Sequence, residues 1–220
     1  MIQIEKTEIF GWEAAIRGMR NPMNSWDKSD SLFWPGHMQI GEKDIDLMKR
    51  LVKSGTDHSK FMRFIIVTCD ITAPLYWWKE YETYKVGTVS NSCSTMHKIS
   101  EKKFTSDDFS HEHICIRQSA DVLRETVCAL NTFRNVYLNG GPLRCESGEL
   151  RIYEKKDGEV WWQMIQLLPS SYNQKRTVLL NYAVLRNMYH ARKNHKLDEW
   201  REFCKWIETL PQSELITMEV

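Results

Sequence analysis

FMRFIIVTCDITAPLYWWKEYETYKVGTVSNSCSTMH, residues 61–97, is the stretch on which the fold turns. Its first part, Phe61 to Ile71, is crowded with β-branched and aromatic residues and predicts a buried strand. Thr72 is placed to cap a following helix, and Pro74 is tolerated in a first helical turn. That helix would carry Leu75 to about Lys85 and end near Gly87. Beyond it, Thr88, Ser90, Asn91, Ser92, Cys93, Ser94 and Thr95 form a dense run of small polar side chains. Such a run has two readings, a solvated loop or the wall of a ligand pocket.

Upstream, Ile45, Met48, Leu51 and Val52 fall on one helical face, and Gly55 ends the helix as a left-handed cap would. The opening stretch to Gly41 is aromatic, interrupted by Pro and Gly, and has little period. Arg17 and Arg20 stand there either as ordinary charges at a helix end or as a pair able to grip an oxyanion. Downstream, the charged stretch from Ser100 to Glu112 predicts a loop. A long amphipathic helix follows from about Ser119, with Leu123, Val127, Leu130 and Tyr137 near one stripe and Gly140-Gly141 as its end. Leu150 to Trp162 reads as a hairpin turning at Asp157-Gly158. Two helices close the chain, from about Asn173 to Arg192 and from Leu197 to Leu210, with Pro211 as the stop. The expectation is α+β: a helix-rich single domain over residues 1–220 with a small central sheet.

The 220 residues carry a formal net charge of +1, which gives no global drive toward nucleic acid. No run of apolar residues is long enough to cross a bilayer, and the first residues lack the layout of a signal peptide. Six scattered cysteines with no Cys-x-x-Cys pair suit a reduced, cytoplasmic protein. Nine tryptophans, some in pairs such as Trp77-Trp78 and Trp161-Trp162, suit packed helix seams, subunit contacts or a stacking pocket.

The block from Asp46 to His97 resembles the flavin-dependent thymidylate synthases, in which a helix, a buried strand and an Ala-Pro step lead to the motif R-H-R-x-x-S-x-N-E-x-S-x-R. Here Ala73-Pro74-Leu75-Tyr76 leads to Lys79-Glu80-Tyr81, where that family has Arg-Gln-Trp. Thr83, Tyr84 and Lys85 then stand at the Arg-His-Arg positions, and Thr88, Ser90, Asn91, Cys93 and Thr95 at the later Ser, Asn, Glu, Ser and Arg. A second block matches in order: Leu168-Pro169, then Asn187 and Arg192, then His195 to Arg201, where the family has His-Ala-Gln-Trp-Glu. The His-to-Trp spacing is two residues longer here.

The resemblance implies a pocket for FAD and a pyrimidine nucleotide, assembled in a homotetramer, with no metal. Carried over position by position, it implies Lys85, Thr88, Asn187 and His195 for the cofactor, and Glu80, Asn91, Cys93 and Arg192 for the substrate. No motif residue is identical. Thr83 and Thr95 replace arginines, and a guanidinium grips phosphate through two parallel hydrogen bonds that neither threonine nor the point charge of Lys85 supplies. Lys79, Lys98, Arg17, Arg20, Lys175 and Arg176 are the candidate substitutes. Cys93 reads as a nucleophile activated by His97 or as an inert thiol. Arg192, with Lys193 and His195, also reads as a basic helix end. His111, His113 and Cys115 would share one face if extended, in a pattern that a metal can use.

Three functions follow: a nucleotide-binding protein on this scaffold with a rewritten pocket and altered or lost methylation of deoxyuridine monophosphate (dUMP); an active flavin- and folate-dependent one-carbon transferase; or an interaction protein on the same fold, of a kind that suits a phage genome.

Overall fold

In a computed structural model, residues 2–219 of the chain are described. They gather into two compact units, one formed by residues 73–78 and 92–175, the other by residues 2–72, 79–91 and 176–219. The fold is mixed α and β, as the sequence predicts. Its four-stranded sheet has the order β1 (Gln3–Phe10), β4 (Ile66–Pro74), β8 (Asn173–Asn181), β5 (Val89–Ser92). Among the described residues no helix is long and apolar enough to cross a membrane.

The unit formed by residues 2–72, 79–91 and 176–219 begins with a strand and helix that the sequence leaves unmarked. β1 pairs antiparallel with β4, Ile4 opposite Ile71 and Ile9 opposite Val67, across an irregularity between Glu5 and Glu8 that breaks the expected alternation. Gly11, at a φ of 88°, turns the chain into α1 (Trp12–Arg20). A Cβ at Gly11 would lie 1.9 Å from the Phe64 carbonyl oxygen, so glycine is required there. The short hairpin of β2 (Leu32–Trp34) and β3 (His37–Gln39) then leads to α2 (Glu42–Lys53), which buries Met48 and Val52 as its periodicity predicts. Arg20 is not a surface charge. Its guanidinium is buried against the Asp44 carboxylate at 2.6 Å.

The decisive stretch folds with its boundaries displaced. Ser59–Arg63 is a 3₁₀ turn, and the strand begins at Ile66. Thr72 and Pro74 stay in β4, so Thr72 is not a cap. The helix α3 is only Leu75–Tyr81; the Leu75 and Tyr76 amides instead donate to the Tyr172 and Ser170 carbonyls. Asn173–Asn181 is the strand β8, not helix. It buries Gln174, Val178 and Leu180 at even spacing, and Asn181 caps α7 (Tyr182–Arg192) by accepting from the Val184 amide at 2.9 Å. α8 (Asp198–Glu208) and α9 (Glu214–Thr217) pack on α7, and the Tyr182 hydroxyl donates to the Pro211 carbonyl.

In the other unit, the short helix α4 (Thr95–Lys98) precedes the predicted loop. That loop is pinned by Asp108, whose carboxylate accepts from the Thr105 amide at 2.9 Å. α5 (Arg117–Asn139) ends at Gly140 with a φ of 75°. The hairpin lies earlier than predicted: β6 (Gly141–Arg144) pairs with β7 (Leu150–Tyr153), while Asp157 caps α6 (Gly158–Leu167) by accepting from the Glu159 amide. Asp-Gly reads equally as a turn or a helix start, and the apolar Trp161 and Met164 behind it favour the helix. Ile99, Phe104, Phe109, Leu130 and Met164 form the core of this unit. His111–Cys115 is a turn closed by the Ile114 amide on the His111 carbonyl, so the three metal-capable side chains do not alternate along a strand.

Candidate functional site

α7 carries the site, because its two useful edges point to different places. A helix advances about 100° and 1.5 Å per residue, so Ala183, Arg186, Asn187 and His190 share one face while Arg192 is turned about 140° from Asn187.

The shared face lines a cavity of about 280 Å³, closed on its other side by Val52, Gly55, Thr56, Ser59, Met62 and Arg63. Arg63, Arg186 and His190 stand on its wall, and among the described residues no carboxylate lines it, although the charge of Glu219 also reaches His190. Arg186 donates from one nitrogen, Nη1, to the Ile216 carbonyl at 3.0 Å and to that of Leu215 at 3.2 Å. The His190 Nε2 lies 3.1 Å from the same Ile216 oxygen, which can only accept, so the proton sits on Nε2 and Nδ1 is left as an acceptor in the neutral ring. Burial, and then the charge of Arg186, lower the His190 pKa below its ordinary 6.5. An anion entering this cavity would offset the second of these effects, the charge of Arg186.

Arg192 lies in a second cluster of the same unit. Its Nη1 donates to Glu80 Oε2 at 2.6 Å, and its Nε to the Tyr84 hydroxyl at 2.9 Å. The guanidinium stacks 4.8 Å from the Trp200 ring. Trp200 Nε1 donates to the same Glu80 oxygen at 2.9 Å, and His195 Nε2 lies 3.3 Å from it. The structure thus joins Glu80, Arg192 and His195, all named from the sequence, and adds Tyr84 and Trp200.

The other sequence candidates lie elsewhere. Asn187 is on the cavity face, apart from Arg192 in direction. Thr88 turns its hydroxyl onto the Tyr84 carbonyl at 2.5 Å, and Thr83 onto that of Glu80 at 2.7 Å, so both close the turn after α3. Lys85 and Asn91 are exposed. Cys93 belongs to the other unit. Its thiol is exposed and its backbone is fixed by the Lys175 carbonyl and the Gln174 side chain, while Ser94 caps α4 through the His97 amide. Of the substitute cations, Arg176 is paired with Glu82 at 2.6 Å and Lys98 with Glu101. Ser59, Arg63, Arg186 and His190 were not picked out by motif. The signal for the last two was the 183, 186, 187, 190 spacing on one helical face.

Solved structures match this architecture from end to end. A flavin-dependent thymidylate synthase of Helicobacter pylori, crystallised with FAD and dUMP, superposes with a TM-score of 0.67 over 100% of this chain and 98% of its own, at 17% identity. The chain has the fold of the flavin-dependent thymidylate synthases. A second crystal structure of the Helicobacter pylori enzyme, also with FAD and dUMP, matches with a TM-score of 0.66 at 16% identity, covering 99% of this chain and 98% of its own. A UMP/dUMP methylase of Streptomyces cacaoi bound to 5-bromo-dUMP shares the thymidylate synthase fold with a TM-score of 0.63 at 14% identity, over 99% of this chain and 95% of its own. No protein-family model and no curated protein matches the sequence.

Proposed function

We propose that the protein binds a nucleotide, with the phosphate seated on the α7 face of the 280 Å³ cavity, and that the methylation of dUMP is altered or lost. The observation that carries this reading is the convergence of Arg63, Arg186 and His190 around one cavity whose described lining residues include no carboxylate. The two guanidinium groups, Arg63 and Arg186, are the cationic donors here, and in a partly enclosed space such groups bind phosphate oxygens through charge-assisted bonds. The volume is near the lower end of the range of roughly 300–1,000 Å³ for small-molecule cavities, so it suits a mononucleotide or one portion of FAD. Should FAD bind, Arg63 and Arg186 would hold a phosphate and Asn187 a polar edge, and the cofactor would supply hydride transfer.

The altered chemistry is supported by the rewritten motif. Thr83 and Thr88 are spent on backbone carbonyls, Asn91 is uncharged, and Arg192 is already neutralised by Glu80. A pyrimidine nucleotide is the favoured ligand because the solved structures sharing this fold hold dUMP or its bromo analogue. Assembly as a homotetramer and a cytoplasmic location belong to the same proposal.

The end-to-end match to FAD-bound structures favours one second reading, an active flavin- and folate-dependent one-carbon transferase. A thermal-shift screen with pyrimidine nucleotides and flavins, together with the absorbance spectrum of the purified protein, separates the two. Nucleotide binding without flavin absorbance supports the first reading, and a yellow protein supports the second. No stabilisation by any nucleotide at millimolar concentration contradicts both.

A further inference from the structure

Arg192 is the cation that the sequence comparison singles out for substrate, yet its charge is met from within the protein. Glu80 Oε2 receives Arg192 Nη1 at 2.6 Å and Trp200 Nε1 at 2.9 Å, and His195 Nε2 lies 3.3 Å away. This is not a loose surface pair. The Trp200 ring is fully buried, with 19% of the Arg192 side chain and 34% of the Glu80 side chain exposed. The guanidinium is held on Trp200 at 4.8 Å and fixed by the Tyr84 hydroxyl at 2.9 Å. A carboxylate that already accepts from an indole and a guanidinium is preorganised, and rotating it away would break both of these hydrogen bonds. An incoming phosphate would therefore have to displace Glu80 or lie beside a like charge.

We infer that Glu80 is a specificity-determining residue, a built-in counter-anion that closes Arg192 to phosphate and leaves phosphate recognition to the Arg186 cavity. The inference rests on the nucleotide-binding reading but concerns a different cluster of the same unit. It assigns the ligand group next to Arg192 as uncharged, since Arg192 and Glu80 cancel there.

The test uses Glu80→Gln, which keeps the shape and the acceptor oxygen while removing the charge. The probe is inorganic phosphate, followed by ¹⁵N NMR of the Arg192 Nε and Trp200 Nε1 resonances. In the wild type both resonances should stay in place through a phosphate titration. In Glu80→Gln the Arg192 signal should move, with phosphate bound roughly tenfold tighter or more, because a charge-assisted bond becomes available. The double variant Glu80→Gln/Arg192→Gln should lose that gain. A wild-type Arg192 signal that moves as readily as the variant's overturns the inference, as does a folded Glu80→Gln protein with no gain. Where Glu80→Gln does not fold, the wild-type titration decides alone: an unmoved Trp200 signal upholds the inference and a shifted one overturns it. Failure of the function proposal reads differently, as a wild type that binds no nucleotide at the Arg186 cavity while Glu80→Gln still gains phosphate at Arg192.

Discussion

Asp44→Asn should cost the protein more stability than any exposed charge change, and the structure says how much. Asp44 Oδ1 lies 2.6 Å from both Nε and Nη2 of Arg20. The other oxygen, Oδ2, accepts from the Ser29 hydroxyl at 2.6 Å and the Ser31 hydroxyl at 2.7 Å. The Asp44 side chain is 0% exposed and that of Arg20 5%, so the substitution leaves a buried guanidinium without its counter-charge. Breaking a buried pair from one side costs about 3–5 kcal/mol. At about 2–4 °C per kcal/mol for a chain of this size, the melting midpoint should fall by roughly 6–20 °C. Urea denaturation and calorimetry of the two proteins measure both quantities. Replacing both partners, Arg20→Met with Asp44→Leu, should recover most of the loss, since a buried pair exchanged for apolar side chains is often near neutral. A single-variant loss under about 1 kcal/mol, the range of exposed pairs, would refute the closed-network reading. The pH dependence has a definite sign. Burial raises the Asp44 carboxyl pKa, but hydrogen bonds from Ser29, Ser31 and Arg20, with the Arg20 charge, outweigh it and hold it below 3.8. Its contribution is present above pH 3.8 and is lost as pH falls through the lower folded value.

Further outcomes follow from other parts of the molecule. His190 has a folded pKa below 6.5, so its neutral form favours the fold; the stability it gives is present above pH 6.5 and lost as pH falls through the window beneath. His190→Gln should flatten the thermal stability profile in that window, and an unchanged profile would contradict the assignment. Gly87→Ala places a Cβ 2.7 Å from the Asn181 Nδ2 at a φ of 81°, pressing on the side chain that caps α7. It should cost about 1–3 kcal/mol by strain and cap loss and weaken nucleotide binding with it, as read by denaturation and titration. Leu130→Ala, at 0% exposure in the α5–α6 core, should cost about 2–5 kcal/mol in calorimetry.

Helices with a clean period were legible in the sequence. α2 and α5 fall where Met48, Val52 and Leu130 predict, because a buried stripe needs only local spacing. β1 was not legible: its irregular register blurs the period of two, and its partner lies some sixty residues away. β8 was mistaken for helix because Val178, Leu179 and Leu180 form a run that either element can bury, and the deciding feature, Asn181 as a cap, lies at its end. Asp157-Gly158 failed for the same kind of reason, since a capping aspartate and a turn aspartate look alike until the helix behind is recognised. For the site, resemblance named Glu80 and Arg192 for substrate and His195 for the cofactor, and the fold sets these three side chains side by side. Resemblance did not show that Glu80 and Arg192 satisfy each other, because pairing over more than a hundred positions is a tertiary fact. Arg186 and His190 could have been found from helical spacing alone, but Arg63 could not, because the turn carrying it meets α7 only in the fold.

The central claim is that nucleotide phosphate is recognised by the Arg186 face of α7, and isothermal titration of dUMP and FAD into the wild type and Arg186→Gln tests it most directly. The wild type should bind at least one of them, and Arg186→Gln should weaken that binding about tenfold or more, the worth of a charge-assisted bond. A wild type that binds neither at millimolar concentration, or a variant that binds as well as the wild type, would contradict it.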